Sequence, residues 1–206
     1  MRYGGLYLVT PDYTPGKFFG IVESAIAGGV DILQYRDKSN TKQVRMEVAG
    51  RLRSICSDNG IPFIVNDDID ITVESEADGI HIGTGDTPYA EARERMNNGV
   101  VGVSVYGDIE LALKYERMGA DYVSFGPFFD TDSKKDASVY DIGVLEEARS
   151  RLTVPVFVIG GITAENISKV ISCGVDGVAV ISAIFRSADP ESAARELKRL
   201  IAGRKC

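Results

Sequence analysis

The sequence predicts a single (βα)₈ barrel over residues 1–206, and three observations carry that expectation. The first is a motif that recurs at Gly29-Val30-Asp31-Ile32-Leu33, Ala77-Asp78-Gly79-Ile80-His81-Ile82, Gly119-Ala120-Asp121-Tyr122-Val123-Ser124 and Gly174-Val175-Asp176-Gly177-Val178-Ala179-Val180. Each copy sets an aspartate ahead of an apolar run and three begin with glycine, the pattern of a helix C-cap followed by a buried strand. The second is a set of further apolar runs without alternation, at Leu6 to Val9, Phe63 to Val65, Val100 to Val105 and Val154 to Ile159. Such runs read as strands covered on both faces, as in a parallel sheet. The third is the count: eight strands, each followed by a helix, at about 26 residues per unit, which suits a closed barrel better than an open doubly wound sheet.

The helices expected between the strands are amphipathic: Pro15 to Ala27, Thr41 to Ser57, Pro88 to Asn97, Asp108 to Met118, Ile142 to Arg151, Ala164 to Ser172 and Pro190 to Ala202. The Asp67 to Glu76 stretch carries the weakest pattern and is assigned a short helix.

Composition narrows the function classes. Lys plus Arg total 23 against 30 Asp plus Glu, so the net field repels nucleic acid and anionic membrane, and an anionic ligand needs a local cationic cluster. Cys56, Cys173 and Cys206 are odd in number and lack disulfide or zinc spacing, which fits a reducing cytoplasm. The sequence runs from Met1 straight into a strand, and no apolar run reaches the roughly 20 residues that span a bilayer, so a soluble, untargeted protein is expected. The oligomeric state is left open, a homo-oligomer included.

In such barrels chemistry sits in the loops after the strands. After strand 2, Arg36 and Lys38 of Gln34-Tyr35-Arg36-Asp37-Lys38 are two residues apart and can point the same way, a fork and a point charge suited to phosphate; an ordinary solvated pair is the alternative. Strand 3 ends in Asn66-Asp67-Asp68, and strand 4 leads through Gly83-Thr84-Gly85 to Asp86. Asp67 and Asp86 can share one magnesium ion, or serve as helix N-caps.

Strand 5 ends at Ser104, with Tyr106 beyond; this serine either donates to a ligand or caps the helix that starts near Asp108. The sole histidine, His81, faces away from Ile80 and Ile82 and reads as hydrogen-bonded in a structural or supporting role, although no partner is evident. The longest loop, Gly126 to Ala137, holds hydroxyls and lysines that suit an anion and a closing segment. Gly160-Gly161-Ile162-Thr163 after strand 7 and Ile181-Ser182 after strand 8 form the usual barrel phosphate site.

As an ordered set these loops resemble the thiamin phosphate synthase family from about Leu6 to Leu200. The carriers are Gln34/Arg36/Lys38, Asn66-Asp67, Gly83/Asp86, Ser104, Gly126 through Ala137, Gly160-Gly161-Ile162 and Ile181-Ser182. The resemblance implies condensation of an aminopyrimidine methyl diphosphate with a thiazole phosphate, both small phosphorylated molecules, at one Mg²⁺ per subunit. Asp67 and Asp86 would bind the magnesium. Gln34, Tyr35, Arg36, Asp37, Lys38, Asn66, Ser104 and Lys134 would hold the diphosphate substrate, with Arg36, Lys38, Ser104 and Lys134 catalytic. Thr131, Asp132, Ser133, Gly161, Ile181 and Ser182 would hold the thiazole phosphate.

Three positions depart from the pattern. Ser133 replaces a usual threonine, Tyr106 a frequent histidine and Thr84 a frequent glutamine. A thiazole tautomerase and an idle thiazole phosphate-binding regulator of the same fold are the competing readings. Asp67, Asp86, Arg36, Lys38 and Pro127 favour the synthase.

Overall fold

The computed structural model describes residues 3–130 and 140–203. Thr131, Asp132, Ser133, Lys134 and Cys206 therefore lie outside the described residues. Strands β1 (Gly5–Val9), β2 (Ile32–Tyr35), β3 (Phe63–Asn66), β4 (Gly79–Ile82), β5 (Val100–Tyr106), β6 (Tyr122–Phe125), β7 (Val156–Ile159) and β8 (Gly177–Val180) pair in chain order. All the pairings are parallel, and β8 returns to β1 to close the barrel.

Between the strands run α1 (Phe18–Ala27), α2 (Lys42–Asn59), α3 (Ile69–Glu74), α4 (Tyr89–Met96), α5 (Ile109–Arg117), α6 (Gly143–Arg151) and α7 (Ile167–Ile171). The short α8 (Ser182–Phe185) and the final α9 (Pro190–Ala202) follow β8. The weakly patterned segment forms α3, with Asp68 as its cap: that side chain accepts from Ile71 N at 3.1 Å. Asp108, not Ser104, caps α5 by accepting from Leu111 N at 2.9 Å. None of the described helices is long and apolar enough to cross a membrane.

Alternation along each strand splits the core in two. Leu6, Leu8, Leu33, Ile80, Val101 and Val103 face the helices. Tyr7, Val9, Ile32, Ile64, Val100, Tyr122, Phe157 and Ala179 fill the barrel interior. Large rings fit there because glycine stands opposite them. A Cβ on Gly102 would lie 2.0 Å from the Tyr122 ring, and one on Gly177 2.2 Å from Phe157.

The repeated aspartates explain the motif found in the sequence. Asp31, Asp78, Asp121 and Asp176 precede the even strands, and each accepts a backbone N–H at the start of the preceding odd strand. The donors are Leu6 at 2.7 Å, Phe63 at 2.8 Å, Val101 at 2.8 Å and Val156 at 2.9 Å. Each carboxylate also meets a cation: Lys198, Arg53, Arg93 and Arg149 respectively. These four clamps tie the amino-terminal end of the barrel, which leaves the carboxyl end for chemistry.

Candidate active site

A cavity of about 140 Å³ opens at the carboxyl end of the barrel. Tyr7 and Phe157 form its floor, and Gln34, Arg36, Asn66, His81, Ser104, Tyr106 and Ser124 one wall. Gly160, Gly161, Ile162, Ile181 and Ser182 line the opposite side. Thus every strand from β2 to β5, together with the loops after β7 and β8, contributes a residue that the sequence pointed to.

A chain of hydrogen bonds crosses the interior beneath this cavity. Gln34 Nε2 donates to Tyr7 Oη at 2.9 Å, Tyr7 Oη lies 2.8 Å from Tyr122 Oη, and Tyr122 Oη lies 3.0 Å from His81 Nδ1. His81 Nε2 is 2.9 Å from Ser104 Oγ and 3.3 Å from Ser124 Oγ. Burial pushes the phenols of Tyr7 and Tyr122 well above their ordinary range, so both keep their protons. Tyr7, Tyr122 and Ser124 were not among the residues expected at the site. The sequence signal for them is the strand alternation that turns them inward with Gln34 and His81.

Beside the cavity, the loops after β2, β3 and β4 converge on Asp67. Lys38 Nζ is 3.0 Å from Asp67 Oδ2, and the Asp67 carboxyl lies within hydrogen-bonding reach of that of Asp86. Burial, followed by the Asp86 carboxyl, pushes Asp67 up to about 6, while Lys38 pulls in the other direction. Asp86 Oδ2 accepts from Gly83 N at 2.9 Å, and Thr87 Oγ1 donates to the Asp67 carbonyl at 3.1 Å, so the two loops hold each other.

Asp67 and Tyr106 both sit in the left-handed region, at φ 63 and φ 57. Aspartate tolerates that conformation, whereas for a bulky tyrosine it is an outlier of the kind found beside functional sites.

Arg36 is placed by the loop after β1. Its backbone N–H donates to Thr10 Oγ1 at 3.0 Å, and its Nη1 lies 3.5 Å from Asp12 Oδ1, which also accepts from Lys38 N at 3.0 Å. Tyr35 and Asp37 point elsewhere. Tyr35 is buried in the layer beneath the helices and donates to Asp37 Oδ2 at 3.0 Å. Asp37 in turn accepts from Tyr13 N, Ser39 N and Asn40. Their polar groups thus brace the loop rather than reach the cavity, as the two-residue period of a strand end requires.

The loop after β7 needs glycine for packing as well as for any anion. A Cβ on Gly160, at φ 108, would lie 2.3 Å from Pro127 Cβ, and one on Gly161, at φ 66, 2.4 Å from the Asp130 carbonyl oxygen. Ile181 and Ser182 introduce α8, in which the Ile184 and Phe185 N–H groups donate to the Ile181 carbonyl and those of Ser182 and Ala183 have no acceptor within the helix.

Two carboxylates in contact, one of them with a raised pKa, form a pair that has to share positive charge, so the donor set fits a small hard dication. No cluster of three or more His, Cys, Asp or Glu suited to a metal occurs among the described residues. An ion here would depend on water and ligand oxygens for its remaining positions, the habit of magnesium.

A family model described as thiamine monophosphate synthase matches residues 6–184. The thiamine-phosphate synthase of Thermoplasma acidophilum is 56% identical over 197 residues, covering 96% of this chain and 92% of that protein. That of Picrophilus torridus is 47% identical over 195 residues, covering 95% of each. The solved thiamine phosphate pyrophosphorylase from Pyrococcus furiosus superposes with a TM-score of 0.88 at 33% identity, covering 96% of this chain and 95% of that one. By the family match and these identities, the chain belongs to the thiamine monophosphate synthase family.

Proposed function

We propose that this chain is a thiamine-phosphate synthase, a transferase acting on two phosphorylated small molecules. It joins 4-amino-2-methyl-5-hydroxymethylpyrimidine diphosphate to 4-methyl-5-(2-hydroxyethyl)thiazole phosphate, or to the carboxylated form of that thiazole with loss of CO₂, and releases diphosphate. One observation carries the reading: the cavity is flanked by charged groups on one side and by glycine and a helix start on the other.

In this reading the pyrimidine ring lies against Gln34 and Ser104, and its diphosphate reaches Arg36, Lys38 and Asn66, with Lys134 as a further cation. Gly161, Ile181 and Ser182 hold the thiazole phosphate, helped by Thr131, Asp132 and Ser133. When magnesium is bound by Asp67 and Asp86, it supplies Lewis-acid charge to the leaving diphosphate.

A diphosphate ester carries roughly −3, magnesium +2, the two aspartates −2 and the three cations +3, so the site sums to about zero. Arg36 and Lys38, fixed in place before reaction, neutralise charge as it develops on the departing group. Departure leaves a pyrimidinylmethyl cation stabilised by its amino group, and the thiazole nitrogen captures it. No covalent nucleophile is needed.

Cys56 is buried, with its thiol pushed up to about 12, and the free thiols of Cys56 and Cys173 suit a reducing cytoplasm. The test is release of diphosphate when both precursors and magnesium are supplied together.

A further inference from the structure

The polar chain beneath the cavity has a direction. Gln34 Nε2 can only donate, and it donates a hydrogen bond to Tyr7 Oη. Tyr7 and Tyr122 each have one hydroxyl proton to place, and both side chains are fully buried. If Tyr122 donated to Tyr7, the Tyr7 proton would be stranded in the interior. With the Gln34 amide oriented as in the structure, the arrangement that uses every proton runs from Gln34 to Tyr7, then to Tyr122, and then to His81 Nδ1.

His81 then carries its own proton on Nε2 and donates to Ser104 Oγ, the nearer of the two serines. Ser104, having accepted, donates to Ser124 Oγ 3.3 Å away or directly into the cavity that both line. Either way, the last hydroxyl of the chain is a donor toward a bound ring. Gln34 lines the same wall, and with its amide nitrogen donating to Tyr7 the amide oxygen is the group available to accept.

We propose that this relay selects the ring. It offers a hydroxyl donor to a ring nitrogen that accepts and an amide acceptor to a neighbouring exocyclic amine. Tyr122 is the positioning residue that fixes the direction from behind His81, with which its ring is stacked at 5.5 Å. The inference rests on the aminopyrimidine reading above and adds Tyr122 and Ser124 to it.

His81 is the only histidine in the chain, so the nitrogen-15 spectrum of its side chain reports the tautomer directly. The relay requires the neutral ring of the whole protein to carry its proton on Nε2. Tyr122→Phe keeps the ring stack and removes the hydroxyl, so the tautomer becomes mixed. KM for the aminopyrimidine diphosphate should rise about tenfold, the scale of one hydrogen bond, with KM for the thiazole phosphate unchanged. Discrimination against the 4-oxo analogue should narrow by a similar factor.

A proton on Nδ1 in the unmodified protein overturns the proposal. So does a variant with unchanged spectrum and discrimination, or one in which both KM values rise together with a lowered melting temperature. If the unmodified protein releases no diphosphate, the aminopyrimidine reading fails, and the histidine spectrum still decides the direction of the relay.

Discussion

Lys38 Nζ lies 3.0 Å from Asp67 Oδ2 and joins the loops after β2 and β3 at the edge of the cavity. The ion pair offsets part of the unfavourable environment of Asp67, whose carboxyl is held against Asp86 and pushed up to about 6. A carboxyl with a raised native pKa binds its proton more tightly when folded. In the metal-free protein its contribution to stability therefore falls as pH rises from about 4 to about 6.

Asp67→Asn removes that penalty while keeping a residue that accepts the left-handed backbone. The variant is expected to melt above the parent at pH 7 without metal, and the difference should vanish near pH 4. Its turnover should fall by at least about 10²-fold. Melting curves over this pH range test the electrostatic half of the account. A variant less stable at pH 7 contradicts it.

Lys134 lies outside the described residues, and the role proposed for it rests on the family resemblance of the Gly126 to Ala137 motif. Lys134→Ala and Asp67→Ala should each lower turnover by at least about 10²-fold, the scale of one preorganised electrostatic group. Steady-state kinetics on folded variants decide the matter. Near-parental turnover removes the residue from the machinery.

Asp121→Ala acts at the other end of the barrel. It strands the Val101 N–H, which donates to Asp121 Oδ2 at 2.8 Å, and breaks the pair with Arg93. A loss of about 2 kcal/mol in urea unfolding is expected, with KM for both substrates unchanged. Unchanged stability would show that the clamps do not hold the barrel closed.

The fold was legible because barrel strands, covered on both faces, write themselves as unbroken apolar runs, and because a clamp aspartate marks every second strand. The partners of those aspartates were not legible: Lys198 reaches Asp31 from 167 positions away. His81 showed no partner for the same reason, since Tyr122 and Ser104 are 41 and 23 positions distant and meet it only in the closed barrel. Tyr35 and Asp37 entered the expected site by adjacency, although the strand period that aims Gln34 and Arg36 inward turns them outward. Ser104 and Asp67, which also read as helix caps, leave that task to Asp108 and Asp68.

The central claim is that two phosphorylated precursors are joined at one cavity. Incubation with aminopyrimidine diphosphate, thiazole phosphate and magnesium should yield one diphosphate per joined product. Release should stop when either precursor is omitted or the metal is chelated, and resume when magnesium is restored. Tight binding of thiazole phosphate with no diphosphate release contradicts the account, as does release that proceeds without the thiazole.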